Sequence, residues 1–153
     1  MIIISISEQM LYHRRRTGVW YAYPVSTALK GCGNKNGSLQ TPLGKHRICA
    51  KIGEDMPINT AFIGREPIGF YMPGKSDPER DWILGRILWL DGMELGKNKR
   101  GRVDTKQRYI YIHGTHEQGK LGTPCSHGCI RMSPSDVLEL FEHAHTGEHV
   151  HIR

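Results

Sequence analysis

No stretch of about 18 consecutive apolar residues occurs in this 153-residue chain, which excludes a membrane-spanning helix. Targeting signals are equally scarce. Met1 is followed by Ile2, Ile3, Ile4, Ser5, Ile6, Ser7 and Glu8, without a basic n-region, a useful h-region or a small-residue cleavage site, so this start reads as a strand. The four cysteines, Cys32, Cys49, Cys125 and Cys129, are therefore expected to be reduced thiols of a cytoplasmic protein. A leader replaced by the initiating Met would make the protein periplasmic instead. Repeats and low-complexity segments are lacking, and residues 1–153 fit one domain, able to bury roughly 68–70% of its unfolded surface.

The charge is less balanced. Twenty-one Lys and Arg against 15 Asp and Glu give a net charge of +6, which suits an anionic partner. The basic groups (Arg14 to Arg16; Lys97, Lys99, Arg100, Arg102) lack the aromatic interleaving of a single-strand binder, so each reads as a solvated surface. No nucleic-acid or membrane partner is expected.

Along the chain, Ile2 to Thr27 reads as two strands joined by a turn at Arg14 to Gly18, and Lys30 to Gln40 as a glycine-rich loop. Thr41 to Ile48 is a turn and strand. Gly53 to Asp81, rich in Gly, Pro and charge, is expected to hold little regular structure and to serve as a lid or binding wall. Trp82 to Leu90 is a near-continuous apolar run, read as a central strand with Gly85 as a bulge. Arg86, alone in that run, either snorkels to the surface, or meets a substrate carboxylate or anchors the catalytic loop. Asp91 to Gln107 reads as a polar hairpin or lid. Ser133 is an N-cap with Pro134 at N1, followed by the helical stripe Val137, Leu138, Leu140 and Phe141, which Gly147 ends; His149 to Ile152 alternates as a last strand. His143, His145, His149 and His151 are expected at the surface. The predicted class is mostly β, a β-sandwich of mixed strands with one clear C-terminal helix and long surface loops.

The chemistry gathers between Tyr109 and Met132. Tyr109, Ile110, Tyr111 and Ile112 alternate as a strand that delivers His113; a loop punctuated by Gly114, Gly119, Gly122 and Pro124 follows and closes on Ser126, His127, Gly128 and Cys129. A thiol at the end of a tight Gly-containing turn, beside exposed N–H groups and a histidine able to take its proton, has the parts of an activated nucleophile. Two blander readings stand beside it: a packed thiol with a hydrogen-bonded imidazole, or a zinc site using His113, His116, Cys125, His127 and Cys129. The ligand order mixes types with glycine between them, unlike the paired spacing of structural zinc sites.

His113-Gly114-Thr115 followed by Ser126-His127-Gly128-Cys129-Ile130-Arg131-Met132 resembles the signature of the L,D-transpeptidase catalytic domain of the YkuD type. Its pattern is a His, a spacer, Ser/Thr-His-Gly-Cys, a hydrophobic residue and often Arg. The resemblance extends to Tyr23 to Thr27, Thr41 to Gly44 and Arg86 to Leu90. It implies that family's fold, no cofactor or metal, and cleavage of peptidoglycan stem peptides through an acyl-enzyme on Cys129. His113 would be the base and the Gly114 carbonyl its orienting partner. The N–H groups of Gly128 and Cys129, with His127, would form the oxyanion hole, and Ser126 would fix the turn. Arg131, Arg86, Tyr111 and Thr115 are the candidates for substrate contact, Arg131 either receiving a carboxylate or bracing the loop. Muropeptides are the implied partners and carbapenem-type β-lactams the implied acylating inhibitors. Short leaderless members suggest hydrolysis of the diaminopimelate–D-Ala bond in murein recycling; cross-linking transpeptidation and a non-catalytic murein-binding module are the alternatives.

Overall fold

The computed structural model describes residues 1–153. Ten strands form one connected, mixed sheet that curls around a single main core, with one α-helix packed against it. The strands are β1 (Ile2–Ser5), β2 (Met10–Arg14), β3 (Trp20–Pro24), β4 (Gly44–Ile52), β5 (Thr60–Ile63), β6 (Glu66–Phe70), β7 (Ile83–Gly92), β8 (Tyr111–Gly114), β9 (Ile130–Met132) and β10 (His149–Ile152); the helix is α1 (Pro134–His143). The order is β3-β2-β1-β10-β4-β7-β5-β6, with β8 joining β7 and β9 joining β8. The pairs β1–β10 and β8–β9 are parallel, whereas β4–β7 and β7–β8 are antiparallel.

Period-two alternation builds the core. Ile2, Ile4, Leu11, Ile48, Leu88, Leu90, Ile112, Ile130 and Ile152 are all at most 1% exposed, so one apolar face of each strand that carries them meets the same interior. The helix completes it. Ser133 Oγ accepts the Asp136 N–H at 3.1 Å, Pro134 fills the first turn, and Val137, Leu140 and Phe141 turn inward.

Three expectations are corrected. The N-terminal segment is three strands: the chain turns at Ser5 to Gln9, where Gln9 adopts φ 53° and the Glu8 N–H bonds Ser5 Oγ. Ile6 continues the apolar rhythm through that turn and hides it. The Gly53 to Asp81 segment contains the hairpin β5–β6, whose outer strand is exposed along its length and carries Pro67, a residue that edge strands tolerate because they leave N–H groups unpaired. The helix ends with Ala144 as its C-cap, before the turn that holds Gly147. In β7, Gly85 does act as a bulge. It has φ 77°, the register against β8 shifts between Leu84 and Ile87, and a Cβ there would lie 2.9 Å from the Ile58 carbonyl oxygen.

Candidate active site

Strands β8 and β9 run parallel with Ile112 opposite Ile130 and His113 opposite Arg131. Because alternate side chains leave opposite faces, Ile110, Ile112, Ile130 and Met132 enter the core while Tyr111, His113, Cys129 and Arg131 share the other face. Hydrophobic patterning thus fixes which side of the sheet carries the reactive groups.

The turn before β9 is held by its own backbone. Thr27 C=O accepts the N–H groups of both Cys125 and Ser126 at 2.9 Å. Ser126 Oγ donates to the Cys129 carbonyl at 2.6 Å and accepts the Gly128 N–H at 3.2 Å, and Thr41 Oγ1 donates to the Gly128 carbonyl at 2.9 Å. Gly128 has φ 134°, and an added Cβ would sit 3.2 Å from Ile110 Cδ1. The Gly128 N–H is therefore engaged, whereas the N–H groups of His127 and Cys129 bond no group of the chain.

The Cys129 sulfur receives the Tyr111 N–H at 3.3 Å and donates to the Tyr109 carbonyl at 3.5 Å. Burial pushes its pKa up to about 11, opposed by the Tyr111 N–H, so the resting group is a neutral thiol. His113 is 2% exposed and its Nδ1 lies 2.7 Å from the Gly114 carbonyl. A carbonyl only accepts, so Nδ1 carries the proton and Nε2 keeps its lone pair. Burial lowers the His113 pKa against the opposing effect of that bond, which favours the neutral imidazole. The Cys129 thiol and the unprotonated Nε2 of His113 on one sheet face are a proton donor and acceptor for attack by the sulfur.

Arg131 is buried and already occupied. Its guanidinium donates to Asp81 Oδ1 at 2.7 Å, to Glu117 Oε2 at 3.3 Å and to Cys125 Sγ at 3.4 Å, while Nε is buried without a partner. It braces three segments around the thiol, with three of its five N–H donors engaged. His127 is 68% exposed and faces the second oxygen of Asp81 at 3.4 Å. Thr115 is buried; its N–H bonds the Met132 carbonyl and its hydroxyl accepts the Glu117 N–H. Tyr111 packs beside Cys129 with Phe62 and Ile87, and its hydroxyl accepts from Arg65 at 3.0 Å. Arg86 lies apart from the thiol: it donates to the Gly85 carbonyl at 2.8 Å, lies 5.5 Å from the Phe141 ring centre, and lines a cavity of about 210 Å³ with Lys51, Glu54 and Leu138 beside α1. The five soft ligands are dispersed, His116 bonding the Pro78 carbonyl, and no group of three or more His, Cys, Asp or Glu side chains is gathered as a metal would need. Sequence reasoning missed Asp81 and Arg65, which reach the site from distant segments, and Glu117, which lies in the loop between His113 and Cys129; none carries a local motif.

A cysteine turn and a tautomer-locked histidine on one face of a curled β-sheet define a thiol acyl-transfer class of site. The model of the L,D-transpeptidase catalytic domain, YkuD, matches residues 1–152, and the chain belongs to that family. No curated protein matches. Among solved structures, the Xylanimonas cellulosilytica L,D-transpeptidase is 15% identical with a TM-score of 0.60, covering 99% of this chain and 59% of its own. L,D-transpeptidase 3 from Mycobacterium tuberculosis, in complex with a faropenem-derived adduct, is 16% identical with a TM-score of 0.57, covering 99% and 59%. A cysteine-to-serine mutant of the Enterococcus faecium L,D-transpeptidase is 15% identical with a TM-score of 0.59, covering 99% and 48%. At these identities the likeness is one of fold. The present chain spans between 48% and 59% of those three structures.

Proposed function

We propose that this chain is a cysteine-dependent acyl-enzyme peptidase of peptidoglycan stem peptides, opening the bond between diaminopimelate and the terminal D-Ala with water as acceptor. The observation that carries the reading is the placement of Cys129 and His113 on one face of β8–β9 within a family match over residues 1–152. The Cys129 sulfur attacks the carbonyl carbon while its proton passes to His113 Nε2. The tetrahedral oxyanion is received by the Cys129 N–H; removing one such donor typically costs about 10²- to 10³-fold in rate. His113 then protonates the leaving D-Ala amine, giving a thioester on Cys129. Water, deprotonated by the same imidazole, releases the tripeptide and restores the thiol. The Gly114 carbonyl supports both steps by holding Nδ1 protonated.

The second reading, transfer to an amine of another stem peptide, is favoured by the names of the structural neighbours, which are L,D-transpeptidases. Carbapenems acylate the same sulfur on either reading. Hydrolysis suits cytoplasmic recycling and cross-linking suits the cell exterior, so fractionation of cells bears on the choice. The deciding experiment incubates the protein with disaccharide tetrapeptide, alone and with excess D-amino acid or second stem peptide, and weighs the products. Tripeptide and free D-Ala with little exchange establish hydrolysis; abundant exchange or dimer establishes transfer. Absence of turnover by the wild type, with Cys129→Ala still binding the peptide, leaves a murein-binding module.

A further inference from the structure

The tip of the β5–β6 hairpin brings Arg65 over the wall of the thiol site. Its Nη1 donates to the Tyr111 hydroxyl at 3.0 Å, and its guanidinium carbon lies 4.5 Å from the Trp89 ring centre and 5.2 Å from that of Tyr109. Trp89 and Tyr109 are themselves stacked, with centroids 6.0 Å apart and planes at 29°, while Trp89 meets Tyr111 edge-on. These residues flank the nucleophile: Tyr109 C=O and Tyr111 N–H hold the sulfur, and Cys129 packs into the cluster that contains Tyr111 and Trp89. Lys106 Nζ lies 5.4 Å from the Trp89 ring centre.

The charges around the thiol divide into two kinds. Arg131 is ion-paired with Asp81 and Glu117, and Arg108 is spent on the carbonyls of Gly33 and Gln40 and the hydroxyl of Ser38. Arg65 and Lys106 make no ion pair, although both are exposed. Stacking on two rings and the bond to Tyr111 restrain the guanidinium before any ligand arrives, and four of its five N–H donors are uncommitted. A planar, restrained, unpaired fork beside a nucleophile matches a carboxylate in shape and charge.

We propose that Arg65, held on the Trp89–Tyr109 shelf and seconded by Lys106, forms a carboxylate-binding subsite that orients the acyl donor over Cys129. The proposal rests on the peptidase reading, because the carboxylates beside the scissile bond of that substrate are its ligand. Two sources offer this chemistry: the terminal D-Ala carboxylate and the free carboxylate of the diamino acid.

The test measures binding to Cys129→Ala, so that it does not depend on turnover, using synthetic tetrapeptide as the free acid and with either carboxylate amidated. Parallel kinetics use the protein with Cys129 intact. Losing a charge-assisted hydrogen bond should weaken binding by roughly 10- to 150-fold. Amidation of one carboxylate is expected to weaken binding by a factor in that range, identifying the source. Adding Arg65→Ala should weaken the free acid by a similar factor and abolish the acid-to-amide difference, with Arg65→Lys intermediate. In the kinetics the loss should fall mainly on KM. The subsite is overturned if both amides bind as the acid does, or if Arg65→Ala still distinguishes acid from amide as well as the parent. Arg65-dependent discrimination without turnover by the wild type would keep the subsite and overturn the peptidase reading. Turnover with an indifferent Arg65 would do the reverse.

Discussion

Replacing Gly114 by Ala tests whether the orientation of His113 depends on how closely β8 approaches β7. Gly114 lies opposite Leu84, and a Cβ on it would sit 2.5 Å from the Leu84 carbonyl oxygen and 3.3 Å from Val137 Cγ1. Ordinary contact begins at 3.4 Å, so the two strands must part by about 0.9 Å or α1 must retreat. Such overpacking costs about 1–3 kcal/mol. In a chain of this size each kcal/mol moves Tm by ~2–4 °C, so Tm should fall by about 2–12 °C. Ala keeps the carbonyl that orients Nδ1, so any loss of rate must come from position. A displacement of roughly 1 Å at a catalytic group can cost about 10²-fold. Thermal melting and the rate of carbapenem acylation, followed by intact mass, report the two effects separately. If the variant melts like the wild type and acylates at the same rate, the close approach of β7 and β8 does not hold His113, and the reasoning fails.

Alkylation of Cys129 by iodoacetamide should rise with pH toward a midpoint near 11, above the ordinary thiol value of 9.0; a plateau already reached at neutral pH would show a thiolate–imidazolium pair instead. Burial alone would raise the Glu148 pKa, but bonds from His13 and the N-terminal ammonium outweigh it and hold the carboxyl at about 2, below its ordinary 4.5. A depressed folded-state pKa gives stability that is present above pH 4.5 and lost as pH falls from there through 2, so Glu148→Gln should flatten that limb of a stability-against-pH curve. Ser133→Ala should lose ~1 kcal/mol in urea titration, because the Asp136 N–H would lose its cap; an unchanged midpoint would deny the cap any weight.

The shared placement of Cys129 and His113 was legible because both sit in one short segment where strand alternation and turn chemistry agree. Ser126 was legible as a turn anchor for the same reason. Asp81 and Arg65 were not, since each comes from a segment far along the chain, and Glu117 lies within the same segment but carries no motif that marks it as a partner of Arg131. Arg86 was open to a substrate role because a linear run gives no sign of where a bulge turns its neighbours. Gly85 at φ 77° shifts the register, and the next side chain lies beside Phe141 of α1. The β5–β6 hairpin escaped notice because an exposed strand containing Pro67 loses both the alternation and the proline-free run by which strands are read.

The parallel pairing of β1 with β10 places the first and last strands side by side in the middle of the sheet, and β10 alone joins β1 to β4. The strand is four residues long, yet apart from the bridge between Ser26 and Arg131 it is what ties the ribbon β1–β3 to the rest of the sheet. During synthesis the parallel pairing of β1 therefore cannot form until His149–Ile152 emerges from the ribosome. Such a long-range closure makes for slow folding and a nascent chain exposed to aggregation, so this protein is expected to depend on chaperone protection more than its size suggests.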